Sequence, residues 1–433
     1  MNITLKYGKN DIVLKVPADS TIYTPGFNPE YRNAGDLLLD SITNPIGSLP
    51  LNHLLKKRKD GNIAIVVSDI TRPIPYYSFL LDLLNYITAT GVPKNEIVII
   101  VATGMHRAST LEEKISMFGE DVVKYYQIVD HDAENNEELV SLKEKSWSGA
   151  EIKLNKHYVE AGFRILTGLV EPHFMAGFSG GRKSICPGLA ALETIQMFHG
   201  YQFLSNSNAS NAVLEDNPCH LENTSIAQIC PADFSINVVL DQKKQLNKII
   251  SGEQFISHEE TVNYVKEKSC KTVDSPADIA ITSSGGYPLD ATFYQCVKGF
   301  VNCLPAIKEN GEIIAFGGCE ERIGSPEYES IMKKYATRYK DFIDDIRNNR
   351  FFIKDQWQFQ MHIRVLEKIG IHNLHFYTSG VPQNELDLLS VNGHFVQNND
   401  IADLIQEQIN EAVASGKKIA VFPEGPYCSA IKK

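Results

Sequence analysis

Eight cysteines are spread thinly along 433 residues, and none forms a CxxC pair. That spacing argues against a zinc ribbon or a Cys-ligated iron–sulfur cluster and fits reduced thiols, so a cytoplasmic location is expected. No apolar run approaches the roughly 18–20 residues of a membrane span. The longest candidates, such as Ile97-Val98-Ile99-Ile100-Val101-Ala102, have strand length. The first residues alternate and lack a continuous apolar stretch, so neither a signal peptide nor a membrane association is expected. Basic residues are in deficit, 42 Lys+Arg against 53 Asp+Glu for a net charge of −11, which argues against a general nucleic-acid binder. What remains is ordinary globular material, 43% hydrophobic and 22% charged, with enough chain for two or three domains and large cores.

The start alternates as a hairpin would, with Ile3, Leu5 and Tyr7, a turn at 8–11, then Ile12, Leu14 and Val16. A different rhythm follows. Ile63 to Val67 is continuously apolar, the signature of a strand buried on both faces. A helical pattern comes next, with Phe79, Leu80, Leu83, Leu84 and Ile87 on one face, stopped at Gly91-Val92-Pro93. Buried strands recur at 97–102 and 163–166, and after a polar helical stretch between Glu253 and Ser269, read as a linker, the rhythm restarts at Asp278. Strands at 278–282, 312–316, 374–377 and 419–422 alternate with helices such as 356–368 and 401–414. Strand–loop–helix units in series imply a mainly parallel sheet covered by helices. The expectation is two Rossmann-like α/β domains, residues 1–272 and 273–433, with an active site in the cleft between them.

Ligands bind outside the carboxyl ends of parallel strands. Three strand ends of the first domain place Asp69, Thr71, Arg72, His106, Arg107 and His173 on one edge, where packing does not require them. The densest segment runs from Pro172 to Ser184 and contains Ser179-Gly180-Gly181-Arg182-Lys183. It fails the Walker pattern because Arg182 separates glycine from lysine. Its glycines still let backbone N–H groups approach an anion, helped by the dipole of a helix expected after Pro187; a tight turn with a solvated lysine is the plain alternative. His199 ends that helix, where it could equally be a dipole-favoured cap. In the second domain Asp290 is a candidate cap for a helix starting near Ala291, which carries Tyr294, Gln295 and Lys298. Trp357 is one of only two tryptophans, and core or interface packing is a better reason for it than a site role.

Asp-x-Thr-Arg-Pro at 69–73, Thr-Gly-x-His-Arg at 103–107, the segment 171–183 and the later His199 together resemble the lactate racemase family, whose members use a nickel-pincer nucleotide. The central glycine-rich segment is the specific part, and the match spans essentially the whole chain. The resemblance implies an isomerase that interconverts D- and L-lactate. It implies nickel and a pyridinium-3-thioamide-5-thiocarboxylic acid mononucleotide, attached covalently at Lys183 by maturation enzymes, with His199 as nickel ligand. Carried over by position, His106 and His173 are the acid–base pair, and Arg72, Gln295 and Lys298 orient substrate. Asp69, Thr71, Ser179, Gly180, Gly181, Tyr294 and Trp357 surround the cofactor.

Elementary chemistry fits that implication. The Cα–H of a 2-hydroxy acid is very weakly acidic beside an ionised carboxylate. Removing the hydroxyl proton and passing the hydrogen as hydride gives a planar 2-keto acid, and side chains cannot accept hydride. Histidines suit the proton transfers, and a planar arginine fork suits the carboxylate. Three alternatives stay open: a racemase or epimerase of malate, a sugar acid or an aromatic lactate; a nicotinamide-dependent dehydrogenase; and a non-catalytic small-molecule-binding protein. The dehydrogenase needs a G-x-G-x-x-G after a strand, which is not found, and the binding protein needs no strand-end histidines.

Overall fold

The computed structural model describes residues 1–28, 32–348, 352–397 and 400–432. Its first sheet has six strands in the order Leu246–Gly252, Phe234–Leu240, Phe163–Leu169, Ile63–Ser68, Ile97–Ala102, Gln127–Asp130. Only the edge strand Leu246–Gly252 is antiparallel to its neighbour; the other pairs are parallel. Ile63 to Val67 and Ile97 to Val101 are essentially inaccessible to solvent, as their unbroken apolar runs predict. The chain enters at Ile63–Ser68, builds outward to one side, then crosses back to lay Phe163–Leu169 on the other. The loops leaving these two strands diverge and open a crevice at the switch point.

The second sheet, also six-stranded, runs Asn392–Phe395, Leu374–Thr378, Ile307–Phe316, Ala277–Ser283, Ile419–Phe422, Thr21–Ile22. All its pairs are parallel. The chain is thus built on two parallel-dominated α/β sheets, the architecture expected from the strand–loop–helix rhythm.

The first 23 residues join the second sheet, although their place in the sequence assigns them to the first domain. The hairpin Asn2–Tyr7 with Asn10–Lys15 buries Leu5, Tyr7, Leu14 and Val16 against Ile279, Ile281, Ile314 and Phe316. Thr21–Ile22 then pairs with Ile419–Phe422, and Tyr23 stacks on Phe422 at 4.4 Å. Alternation reveals which face of a hairpin is apolar but not which sheet will cover it. The anchor is Asp290, which accepts backbone N–H groups of Gly8 at 2.7 Å and Gly318 at 3.0 Å. Asp290 therefore ties the hairpin down, and the helix beyond it, Phe293–Asn302, is capped by Thr292 instead.

Two other expectations change. The helix Ile256–Ser269 is no free linker: Val262 and Val265 pack with Phe27, Val170 and Phe178. After Pro187 no helix begins until Leu192–Phe198, while residues 181–184 form a single tight 3-10 turn. Replacing Asp290 by Ala would leave two buried N–H groups without their charged acceptor. The expected loss is about 3 kcal/mol of unfolding free energy in denaturant titrations, together with faster proteolysis of the first 23 residues.

Candidate active site

Asp69 follows the central strand Ile63–Ser68 and is almost fully buried. One carboxylate oxygen accepts the Thr71 hydroxyl at 2.6 Å and the Thr71 N–H at 3.2 Å; the other accepts from His106 Nδ1 at 2.6 Å. Burial pushes the Asp69 carboxyl up, but His106, Thr71 and Arg72 outweigh it and hold the group below its usual range. An ionised Asp69 fixes the His106 proton on Nδ1 and leaves the Nε2 lone pair free, the arrangement of an oriented base. Asp69 acts behind His106, while His106 itself is more than half exposed at the cavity wall.

His173 has the opposite polarity. It sits in the short hairpin Pro172–His173 with Gly177–Phe178, and its Nδ1 accepts backbone N–H groups of Met175 at 3.4 Å and Ala176 at 3.2 Å. The neutral ring therefore carries its proton on Nε2. Burial first, then the charges of Lys183, Arg72 and Lys298, push its pKa well below the usual value.

The glycine loop lies between Leu169 and the 3-10 turn. Ser179 Oγ donates to Leu169 O at 2.7 Å and accepts from Glu171 N at 3.0 Å, closing the loop. Gly180 has φ +74°, and a Cβ there would stand 2.7 Å from Val170. Gly181 has φ +52°, and its Cβ would meet the His258 ring at 2.4 Å, so Gly181 faces inward while Ser179 and Gly180 line the cavity. Arg182 turns inward too, donating to His258 Nδ1 at 2.9 Å and to His220 Nδ1. Sequence reasoning missed both histidines, which carry no local signal. Turning Arg182 inward leaves Lys183 pointing into the cavity. Burial, followed by Arg72 and Lys298, lowers the Lys183 pKa well below that of a free lysine and so favours the neutral amine.

His199 ends the helix Leu192–Phe198 with a buried ring. Its Nδ1 donates to Ile195 O at 3.2 Å, which leaves the Nε2 lone pair free to coordinate a metal. Trp357 stacks on the ring at 4.4 Å, Phe198 meets it edge-on at 4.9 Å, and burial with Lys183 pushes its pKa down to about 3. From the second domain, the helix Phe293–Asn302 presents Tyr294, Gln295 and Lys298. Tyr294 donates to Asp355 at 3.1 Å, and Gln295 Oε1 has no partner among the described residues. Burial, then Arg72, brings the Lys298 pKa down to about 7.

These side chains share one cavity of about 780 Å³, walled also by Met105, Phe174, Met175, Asp355 and Gln358. It adjoins a second of about 610 Å³ lined by Asp69, Thr71, Ser179, Gly180 and Lys183. Of the site residues expected from sequence, Gly181 and Arg107 line neither space; Arg107 instead donates to Glu113, from Nη1 at 2.8 Å. Arg72 and Lys298 make the larger one a site for an anion. No cluster of three or more His, Cys, Asp or Glu that could hold a metal exists among the described residues. A metal on His199 would have to take its other donors from a bound group.

Comparison with known proteins agrees with this geometry. The family model for the lactate racemase N-terminal domain matches residues 7–212, and that for the lactate racemase C-terminal domain matches residues 272–426. The chain is 35% identical to the lactate racemase of Thermoanaerobacterium thermosaccharolyticum over 381 residues, covering 84% of this chain and 86% of that one. It is 34% identical to the lactate racemase of Lactiplantibacillus plantarum over 391 residues, covering 89% and 88%. Its structure superposes on the lactate racemase apoprotein of Thermoanaerobacterium thermosaccharolyticum with a TM-score of 0.88 at 32% identity, over 100% of both chains. A Thermotoga maritima protein shares the fold at a TM-score of 0.68 and 17% identity, over 93% of this chain and 100% of that one. Matched by both domain models and by relatives above 30% identity across most of its length, the chain belongs to the lactate racemase family.

Proposed function

We propose that this chain racemises lactate in the cavity between its two sheets, with a nickel-pincer nucleotide tethered to Lys183. The observation that carries the reading is a pair of imidazoles of opposite polarity on one cavity, His106 offering a lone pair and His173 an N–H. The residues fit the cofactor. Lys183 reaches the cavity as an amine whose neutral form burial favours, and thioamide formation needs that form. His199 offers a single nitrogen, and the lack of further protein donors among the described residues suits a metal whose other donors come with the nucleotide. When bound, that group supplies the hydride acceptor that no side chain can be. Loading it is work for maturation enzymes.

The chain's own residues do the rest. The Arg72 fork and the Lys298 ammonium hold the substrate carboxylate, and Gln295 Oε1 is free to accept a hydrogen bond. His106 takes the hydroxyl proton of one enantiomer, and Asp69 stabilises the imidazolium that results. For the mirror-image product the proton comes from an imidazolium His173, which takes that proton from solvent and turns its Nδ1 away from the Met175 and Ala176 N–H groups; His106 returns its own proton to solvent, and the two roles exchange in the reverse direction. Burial disfavours a charged His173, but a substrate carboxylate between Arg72 and Lys298 offsets the local positive field. Met105, Phe174 and Met175 form an apolar wall suited to a methyl group. Malate, sugar acids and aromatic lactates belong in the same assay; a higher kcat/KM on any of them would displace lactate as substrate.

Intact-mass and metal analysis of chains matured in a competent host should give a covalent adduct on Lys183 and about one nickel per chain; unmodified Lys183 in active protein would sink the tether. His106→Ala and His173→Ala should each slow both directions by roughly 10²–10⁴-fold. Substrate deuterated at Cα should keep its deuterium in the product, and washout would point to proton abstraction instead.

A pH profile provides a separate check. Lys298 is cationic below about 7 and neutral above it, so carboxylate binding should weaken as pH rises through that value. KM should climb on the alkaline side, and Lys298→Arg, which keeps its charge, should flatten that limb.

A further inference from the structure

The helix Gln356–Ile369 of the second domain presents residues 357, 360 and 364 on one face, at the i, i+3 and i+7 spacing of a single stripe. All three hold one stretch of first-domain sequence, residues 199–209. Trp357 stacks on the His199 ring at 4.4 Å with 29° between the planes. Gln360 Nε2 donates to the His199 carbonyl at 3.3 Å. Arg364 donates from Nη1 to Ala209 O at 2.7 Å and from Nη2 to the carbonyls of Leu204 and Asn206.

The reason for an arginine there is geometric. The helix Tyr201–Leu204 is barely one turn, so the carbonyls at its end have no partners within the helix. A planar guanidinium can serve three carbonyls from one position, and a point-charge ammonium cannot. No carboxylate pairs with Arg364 among the described residues, so its hydrogen bonding is spent on that backbone. The same segment carries the His199 imidazole, whose Nε2 faces the cavity, while Lys183 stands on the glycine loop of the other body, braced from behind by His258 and His220.

We infer that Arg364 is a positioning residue that sets, from across the domain boundary, where the His199 imidazole stands in the cavity. The segment 199–209 is then held from two sides, by first-domain packing around Phe198 and by the helix Gln356–Ile369. This rests on the reading of His199 as the metal ligand, and the experiment separates the two claims.

Trp147→Phe leaves Trp357 as the only tryptophan, and the first measurement uses that chain unloaded. Adding Arg364→Ala should shift Trp357 emission to the red as the stack on His199 opens. The second measurement uses matured protein. In Arg364→Ala, Lys183 should carry its adduct to the same extent as the reference chain, whereas nickel should leave to a chelator at least about tenfold faster, the size of effect typical when a ligand loses its outer support. Added imidazole should restore part of the retention by standing in for the displaced ring, and Arg364→Lys should fall between the two. Global damage would lower adduct and nickel together, so joint loss overturns the inference, as does unchanged emission with unchanged nickel retention. If Arg364→Ala does not fold, Gln360→Ala and Arg364→Lys decide, and reference-like values in both overturn it. A reference chain without adduct or nickel would refute the cofactor reading alone, leaving the emission of the unloaded chain to judge Arg364.

Discussion

Crowding of basic groups in one buried space governs this site. Arg72, Lys183 and Lys298 converge on the same cavity with His106, His173 and His199. They cannot all be charged at once. The cost shows on the lysines and the buried histidines. The Lys183 pKa is pushed well down and that of Lys298 to about 7. The only imidazole here with a carboxylate behind it is the exposed one, His106. One constraint thus gives chemically similar side chains different environments: two amines with lowered pKa, one imidazole backed by a carboxylate and two buried rings with lowered pKa.

Holding such a set together requires support from outside the cavity, and the fold provides it by crossing its own domain boundary. The N-terminal hairpin packs on the second sheet and is pinned by Asp290. Cys270–Thr272 pairs with Ser429–Ile431, so the chain end returns beside the interdomain passage. Asn211 bonds the Ser429 and Asn302 side chains across the same boundary. The stripe at 357, 360 and 364 grips the His199 segment. The bonds of Asp290, Asn211 and Arg364 satisfy backbone or side-chain groups that would otherwise be buried without those partners, which is costly. The two bodies are therefore coupled at several points while the cavity stays open between them.

The glycine loop shows how close packing replaces side-chain volume at a functional turn. Gly180 and Gly181 take left-handed backbone conformations in places where any Cβ would collide, one with Val170 and the other with His258. Those contacts turn Arg182 inward and Lys183 outward. The residue order Gly-Gly-Arg-Lys, which spoils the Walker pattern, is what this geometry needs.

Much of this was legible in the sequence. Continuous apolar runs gave the buried parallel strands, because a strand covered on both faces has no polar side to show. The residues just past those runs, Asp69, Thr71, Arg72, His106 and His173, had to share an edge once the sheet was parallel. What the sequence could not determine was every relation between distant segments. Alternation in residues 2–16 shows an apolar face but not its partner sheet. Nothing near His220 or His258 marks them as supports for Arg182, and nothing near His106 and His173 says that one ring would be held by a carboxylate and the other by backbone N–H groups. Local pattern follows from the period of the backbone. Protonation states, tautomers and supports depend on which groups meet through space, and only the folded chain decides that.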